Sequence, residues 1–208
     1  MSRATPLREK QETQLRVAVL EAVIARLESE APEDVSMADI AQSAGISLRT
    51  LYRYFPDRAS LLQSAGEHLY SSLGVPVEVA APEDIARSFL EAARRLAVRP
   101  RLTRALIRTG AGQIARSAMR KERVRVIRTA LRSATSGLDT DVARRATALI
   151  THLCSATSWV SIADESGLTD ADAQAAVSWG IDALIGTLRE AALRSGRRRL
   201  RQVVAKEK

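Results

Sequence analysis

Seven side chains crowded into one short stretch carry the strongest chemical signal in the chain. Ser47, Arg49, Thr50, Tyr52, Arg53 and Tyr54 follow one another closely, and Arg58 comes just after them. Hydroxyl, phenol and guanidinium groups all donate hydrogen bonds. Such a row on one helix suits the phosphate oxygens of a nucleic acid. Arg49 could donate twice to guanine O6 and N7, and Leu48 beside it could meet a thymine methyl. Arg53 and, upstream, Ser36 join them as candidate DNA contacts. The competing reading is a solvated polar helix surface.

Elsewhere the chemistry is sparse. His68 and His152 sit in no recognisable metal or nucleophile motif. His152 and Cys154 are two apart and project to different sides of a helix. With no paired acid and base and no metal cluster, the sequence does not read as an enzyme and implies no cofactor. A lone cysteine provides no intrachain disulfide framework.

Local signals place the donor row on the second of two short helices. Ser36 is a good N-cap, and Asp39 three residues on makes a capping box. Ile40, Ala41 and Ala44 give that first helix an apolar side. Gly45 suits the left-handed backbone at its C-terminus. Ser47 caps the next helix, in which Leu51 and Phe55 form the buried side. Pro56 ends it, because the residue before a proline is driven out of the helical region. Asp57 caps a further helix bearing Leu61, Leu62, Ala65 and Leu69. Two short helices around a glycine turn are the helix-turn-helix signature, with the second helix as reader.

From Val19 to Leu62 the chain resembles the DNA-binding domain of TetR/AcrR-type transcriptional regulators. The residues that carry the resemblance are Ser36, Ile40, Ala41, Gly45, Ile46, Ser47, Thr50, Leu51, Tyr52, Tyr54, Phe55 and Arg58. The resemblance implies backbone contacts from Thr50, Tyr52, Tyr54 and Arg58, with Leu48, Arg49 and Arg53 varying with the operator. Three positions depart from the family pattern. Ala31 stands where a glycine is usual, Leu27 where an aromatic is usual, and Ala38 where a polar or basic residue is common. The loop Glu28–Asp34 is acidic.

Composition supports a helical chain. The 208 residues are 46% hydrophobic but only 3% aromatic, so the core must come from Ala, Leu, Val and Ile. The net charge of +8 points to an anionic partner. The charge is not in the expected place, however. Residues 1–65 hold eight Arg or Lys against nine Asp or Glu, a net of −1. Positive charge there is focused on Arg49, Arg53 and Arg58, with Arg3, Arg8 and Lys10 in an N-terminal arm. Met1–Gln14 is polar and no run approaches the roughly 18 apolar residues of a membrane span, so a soluble cytoplasmic protein is expected, with no membrane partner.

The periodicity predicts an arm over 1–12, a helix from Glu12 to Ser29, the helix-turn-helix at 36–55, and a helix from Arg58 to Leu73. Further helices are expected at Glu83–Val98, at Leu102–Ile107 closing near Gly110, at Ile114–Ser133, at Thr140–Ala163 and from Asp170 to Ser195. The tail GRRRLRQVVAKEK reads as a solvated or disordered end. The expected architecture is all-α. Residues 1–66 form a three-helix DNA-binding domain with its arm, and 67–208 a larger effector-binding and dimerisation domain with a basic tail. In the larger domain Phe89, Met119, Cys154 and Trp159 are candidates to line an effector pocket, each with plain core as its alternative. The last two long helices are apolar enough to need a partner, and the family resemblance implies a homodimer through them.

These features describe a sequence-specific, ligand-responsive, homodimeric repressor of TetR type. It would bind a palindromic double-stranded DNA operator and an unknown small-molecule effector. Three alternatives stay open at this stage: a constitutive DNA-binding regulator without effector, a helical enzyme containing the motif, and a helical interaction protein.

Overall fold

The computed structural model describes residues 6–29, 35–76 and 78–206, with side chains described for 9–29, 35–76 and 78–197. Arg3 of the arm and Glu30, Ala31, Glu33 and Asp34 of the acidic loop lie outside the described residues, as do the side chains of Arg8 and of the last part of the tail. Every regular element among the described residues is a helix. The chain divides into two compact units: Met1–Gly74 with Arg99–Arg120, and Val75–Val98 with Lys121–Lys208.

The first unit contains α1 (Pro6–Glu28), α2 (Met37–Ser43), α3 (Leu48–Tyr54), α4 (Arg58–Ser72), α6 (Pro100–Arg108) and α7 (Gly110–Ala115). Its core joins Val19, Val23 and Leu27 of α1 to Ile40 and Ala41 of α2, Leu51 of α3, and Phe55. Leu61, Leu62 and Leu69 of α4, Leu102 and Leu106 of α6, and Ala111 and Ala115 of α7 complete it. The segment 99–120 therefore packs into the same core as the helix-turn-helix. Two polar ties brace α1. His68 Nε2 lies 2.7 Å from Glu21 Oε1, and the Arg99 guanidinium grips the Glu28 carboxylate.

The close approach of α4 to α7 depends on Gly66. A Cβ there would stand 1.9 Å from the carbonyl oxygen of Ala115, well inside any real contact. Gly112 is similarly confined, its notional Cβ lying 2.3 Å from Ala105 O.

The second unit contains a 3-10 turn (Pro82–Asp84), α5 (Ile85–Ala97), α9 (Arg132–Thr135), α10 (Thr140–Leu153), α11 (Ala156–Ser166) and α12 (Asp170–Lys206), with most of α8 (Ser117–Ala130). The helix α12 packs on α5, α9, α10 and α11 and is the spine of this unit. It buries Ala173, Val177, Ile181, Ile185 and Leu188 at helical spacing. Thr169 caps its start: its hydroxyl accepts from Asp172 N at 3.1 Å and donates to Asp172 Oδ2 at 2.7 Å.

Several predicted boundaries are corrected. Helix α1 begins at Pro6, inside the expected arm, because proline fits the first helical position. Gly110 starts a helix rather than ending one. Thr109 accounts for this: its hydroxyl donates to Ala105 O at 2.9 Å, closing α6, and accepts from Gly112 N at 2.9 Å, opening α7. The helix expected over Ile114–Ser133 is interrupted at Arg116 and Leu131, giving α7, α8 and α9.

The helix expected over Thr140–Ala163 is two helices, bent by 67°. Ser155 is extended at the break, and the Ser158 hydroxyl donates to Leu153 O at 2.6 Å and Ser155 O at 2.8 Å. A side-chain hydroxyl thus takes a carbonyl that a continuous helix would use. The tail is corrected too: α12 continues as helix to Lys206. Gly196 is tolerated inside it at a cost of about 1 kcal/mol relative to alanine.

No single helix among the described residues is long and apolar enough to cross a membrane; the bent pair α10 and α11 passes only as a broken span.

Candidate nucleic-acid interface

The local geometry of the reading helix follows from its caps. Ser36 Oγ accepts from Asp39 N at 3.1 Å and donates to Asp39 Oδ2 at 2.6 Å, which fixes the start of α2. Gly45 adopts a left-handed φ of 66°, which an L side chain resists. Ile46 N then reaches back to Ala41 O at 2.9 Å, closing α2 and aiming the chain into α3. Ser47 Oγ accepts from Thr50 N at 3.1 Å and lies 2.8 Å from Thr50 Oγ1. Leu51 and Phe55 are buried and hold α3 to the core, and the Arg16 guanidinium lies over the Phe55 ring at 4.9 Å.

Burying Leu51 and Phe55 turns the opposite side of α3 outward. Arg49 and Arg53 are exposed, as are Leu48 at 41% and Tyr52 at 47%. Exposed leucine and tyrosine on a seven-residue helix are not needed for its packing, so they are available to a partner surface. Tyr54 is half-buried, and Arg53 stacks on its ring at 5.0 Å and donates to its hydroxyl at 3.3 Å. This stack extends the guanidinium along the helix and limits its freedom, which lowers the entropy lost on contact.

Arg58 has a structural task that sequence reasoning missed. Its Nε donates to Val35 O at 2.7 Å, tying the first turn of α4 to the residues that precede α2. Asp57 caps the same helix, accepting from Ser60 N at 2.7 Å while Ser60 Oγ donates to Asp57 O at 2.8 Å. All nine residues selected as DNA contacts thus lie on α3, at its cap, or at the helix starts flanking it. Residues 19–65 match the family model of bacterial regulatory proteins of the tetR family. Residues 19–65 thus form a DNA-binding domain of the tetR-family type.

Solved structures of that family share the fold. A structure from Syntrophomonas wolfei assigned to the TetR family aligns with 84% of this chain and 96% of its own, at 14% identity and a TM-score of 0.58. A tetR-family transcriptional regulator from Streptomyces coelicolor aligns over 91% and 99%, at 18% identity and a TM-score of 0.51. A single-substitution variant of TetR from Acinetobacter baumannii AYE, solved in complex with minocycline, aligns over 85% and 97%, at 16% identity and a TM-score of 0.51. No curated protein matches the chain. These structures share the all-α, two-domain architecture of this chain, and the family match gives it a DNA-binding domain at residues 19–65.

Of the four residues expected around an effector, Phe89, Cys154 and Trp159 lie in the second unit and half-buried Met119 in the first. Trp159 is completely buried, yet its indole Nε1 has no hydrogen-bond partner. Ser155, one helical turn earlier and 5% exposed, has an unpartnered Oγ as well. Each such buried group costs about 1–3 kcal/mol. Sequence reasoning missed Ser155, whose only signal was a serine within an apolar helical pattern. On the outer side of α5, Arg94 is exposed and Arg95 pairs with Glu91 at 2.6 Å.

Burial pushes the Cys154 thiol up to about 12, against a smaller opposing pull from Arg123. The folded protein thus holds a protonated, weakly nucleophilic thiol at neutral pH. Iodoacetamide at about pH 8 should label it slowly in the native state and rapidly after denaturation. The native state binds this proton more tightly than the unfolded chain does. The resulting stability is present below the ordinary thiol range and is lost as pH climbs toward 12.

Proposed function

We propose that this protein is a ligand-responsive homodimeric repressor that acts in the cytoplasm on a palindromic operator. The observation that carries the reading is the outward side of α3, with Leu48, Arg49, Tyr52 and Arg53 exposed on a helix anchored from behind. In this reading Ser36, Ser47, Thr50, Tyr52, Tyr54 and Arg58 meet phosphates, while Leu48, Arg49 and Arg53 meet base edges. Near-neutral overall charge in the first 65 residues makes these focused cations the main electrostatic attraction to DNA.

Two recognition helices related by a two-fold axis would read half-sites one helical turn or a multiple of it apart. The dimer reading draws on α12, whose stripe opposite the core carries Ala176, Trp179, Ala183, Gly186 and Leu193, all exposed. Trp179 is 75% exposed and Leu193 65%. A Cβ added at Gly186 would meet nothing within 4 Å, so there is room for a close helix approach. On α10, Val142 and Leu149 are also exposed. A second copy of the chain is the natural cover for such a face. The effector reading draws on the minocycline complex of a protein with the same fold, and on the orphaned polar atoms inside the second unit. Effector binding would act by favouring a conformation with a different spacing of the two reading helices.

Selection of bound sequences from a random DNA pool tests the reading directly. A palindrome is the expected result; recovery of single half-sites or of no motif would refute it. Arg49→Ala should relax preference at one base position, costing about 1–3 kcal/mol there, and leave non-specific binding nearly intact. Arg58→Ala should weaken binding to every sequence and flatten the salt dependence by about one unit. Arg58→Lys should restore the salt slope but not the full affinity, because lysine has no Nε to hold Val35 O. An unchanged slope in Arg58→Ala would leave that residue with its structural task alone.

A further inference from the structure

The first described turns of α1 carry no core residue. The helix buries Val19, Leu20, Val23, Ile24 and Leu27, but from Glu9 to Ala18 every side chain is exposed except half-buried Leu15. The partners of α1 fix where this overhang goes. Arg16 lies over the ring of Phe55, between the end of α3 and the start of α4. Glu21 meets His68, in the later turns of α4. The two helices therefore advance together. Residues before Arg16 continue past the end of the unit at which α3 stops and α4 begins. From Arg16 back to Pro6 the helix rises about 15 Å, the length of about four base pairs of duplex.

Charge and orientation suit that partner. Residues 1–16 hold four cations (Arg3, Arg8, Lys10, Arg16) against two carboxylates (Glu9, Glu12), whereas residues 17–74 hold four against eight. Lys10, Gln14 and Val17 share one side of the helix with Glu21, each three or four residues from the next. Glu21 turns that side toward α4. Lys10 and Gln14 thus stand beyond the start of α4, where Arg58 lies. Both are exposed, and both end in N–H donors.

We infer that the overhang of α1 is a second DNA contact, in which Lys10 and Gln14 donate to phosphate oxygens beside the base pairs read by α3. The inference rests on the DNA-binding reading of α3 and lengthens its footprint along the duplex backbone. Phosphates are alike in every sequence, so this contact adds affinity and no specificity.

Salt titration of full-length protein on a random-sequence duplex tests this without knowledge of the operator. Lys10→Gln should flatten the salt dependence by about one unit. It should weaken binding by up to about eightfold near 0.1 M salt, the counterion share of one phosphate. Gln14→Ala should weaken binding and leave the slope unchanged, because a neutral amide displaces no counterion. Lys121→Gln is the control: it removes the same charge from an exposed position of the second unit and should leave the slope nearly unchanged. The inference is overturned if Lys10→Gln keeps the wild-type slope. It is equally overturned if Lys121→Gln flattens the slope as much, since net charge rather than contact would then act. On the operator recovered by selection, trimming the flanking base pairs should weaken the wild type and leave Lys10→Gln nearly unaffected; equal loss in both proteins would refute the placement. A flattened slope without a selected palindrome would uphold the overhang and refute the operator reading, whereas a palindrome with an unchanged slope would do the reverse.

Discussion

Gly66→Ala is expected to destabilise the DNA-binding unit by about 3 kcal/mol or more. The added methyl would fall 1.9 Å from Ala115 O and 2.6 Å from its carbonyl carbon. Both are backbone atoms of α7, so no side-chain rotation can relieve the overlap. The only escape is to separate α4 from α7, and that unpacks Leu62, Ala65 and Leu69 from the core they share with Ala111 and Ala115. Interiors are close-packed, so even a single methylene is felt. Urea denaturation should show a lower midpoint, and operator affinity should fall with it, because α4 also carries the Arg58 tie to Val35. Gly110→Ala is the control: the same added methyl meets open space at the exposed first position of α7. Removing a glycine from an exposed helical position should raise stability by up to about 1 kcal/mol. Equal stability of Gly66→Ala and the wild type would show that the helices are not in contact as described.

Trp179→Glu is expected to convert the protein to a monomer and to lower operator affinity by a factor on the order of 10²–10⁴. Trp179 is 75% exposed on the outer stripe of α12, so the substitution should leave folding stability within about 0.5 kcal/mol. In a two-fold interface the same residue is used twice. Two charged carboxylates would replace two aromatic rings that each bury about 150–250 Å², and burying unpaired charge is prohibitive. The loss on DNA follows from geometry. A dimer places its second reading helix at high effective concentration once the first is bound, and a monomer does not. Analytical ultracentrifugation and an operator titration check both halves. A Trp179→Glu dimer with unchanged affinity would assign the interface elsewhere.

How much of this was legible in the sequence can be argued from particular residues. Ser36, Gly45, Ser47 and Asp57 act through neighbours no more than a few residues away, and all behave as their types and spacing predict. The break at Ser155 was hidden because the apolar periodicity of Ile150, Val160 and Ala163 runs on through it, and the competing hydroxyl of Ser158 leaves no mark in that pattern. Trp179 was hidden for the opposite reason. Its stripe contains mostly alanines and glycines, too weakly apolar to stand out beside the stripe of Val177, Ile181 and Ile185. Arg58 was legible as a cation at a helix start, but its bond to Val35, 23 residues away in the chain, was not.

The sequence by itself determined the helical class, the helix-turn-helix and the outward donors of α3, because capping, glycine turns and apolar spacing are short-range effects written in adjacent residues. Only the tertiary structure decided that Arg99–Arg120 shares a core with the DNA-binding helices. It likewise decided that Gly66 is a contact rather than a turn, and that Trp159 and Ser155 keep buried polar atoms without partners. Each of those outcomes depends on which distant surface a residue meets. That is settled by close packing among many helices at once, and no local pattern encodes it.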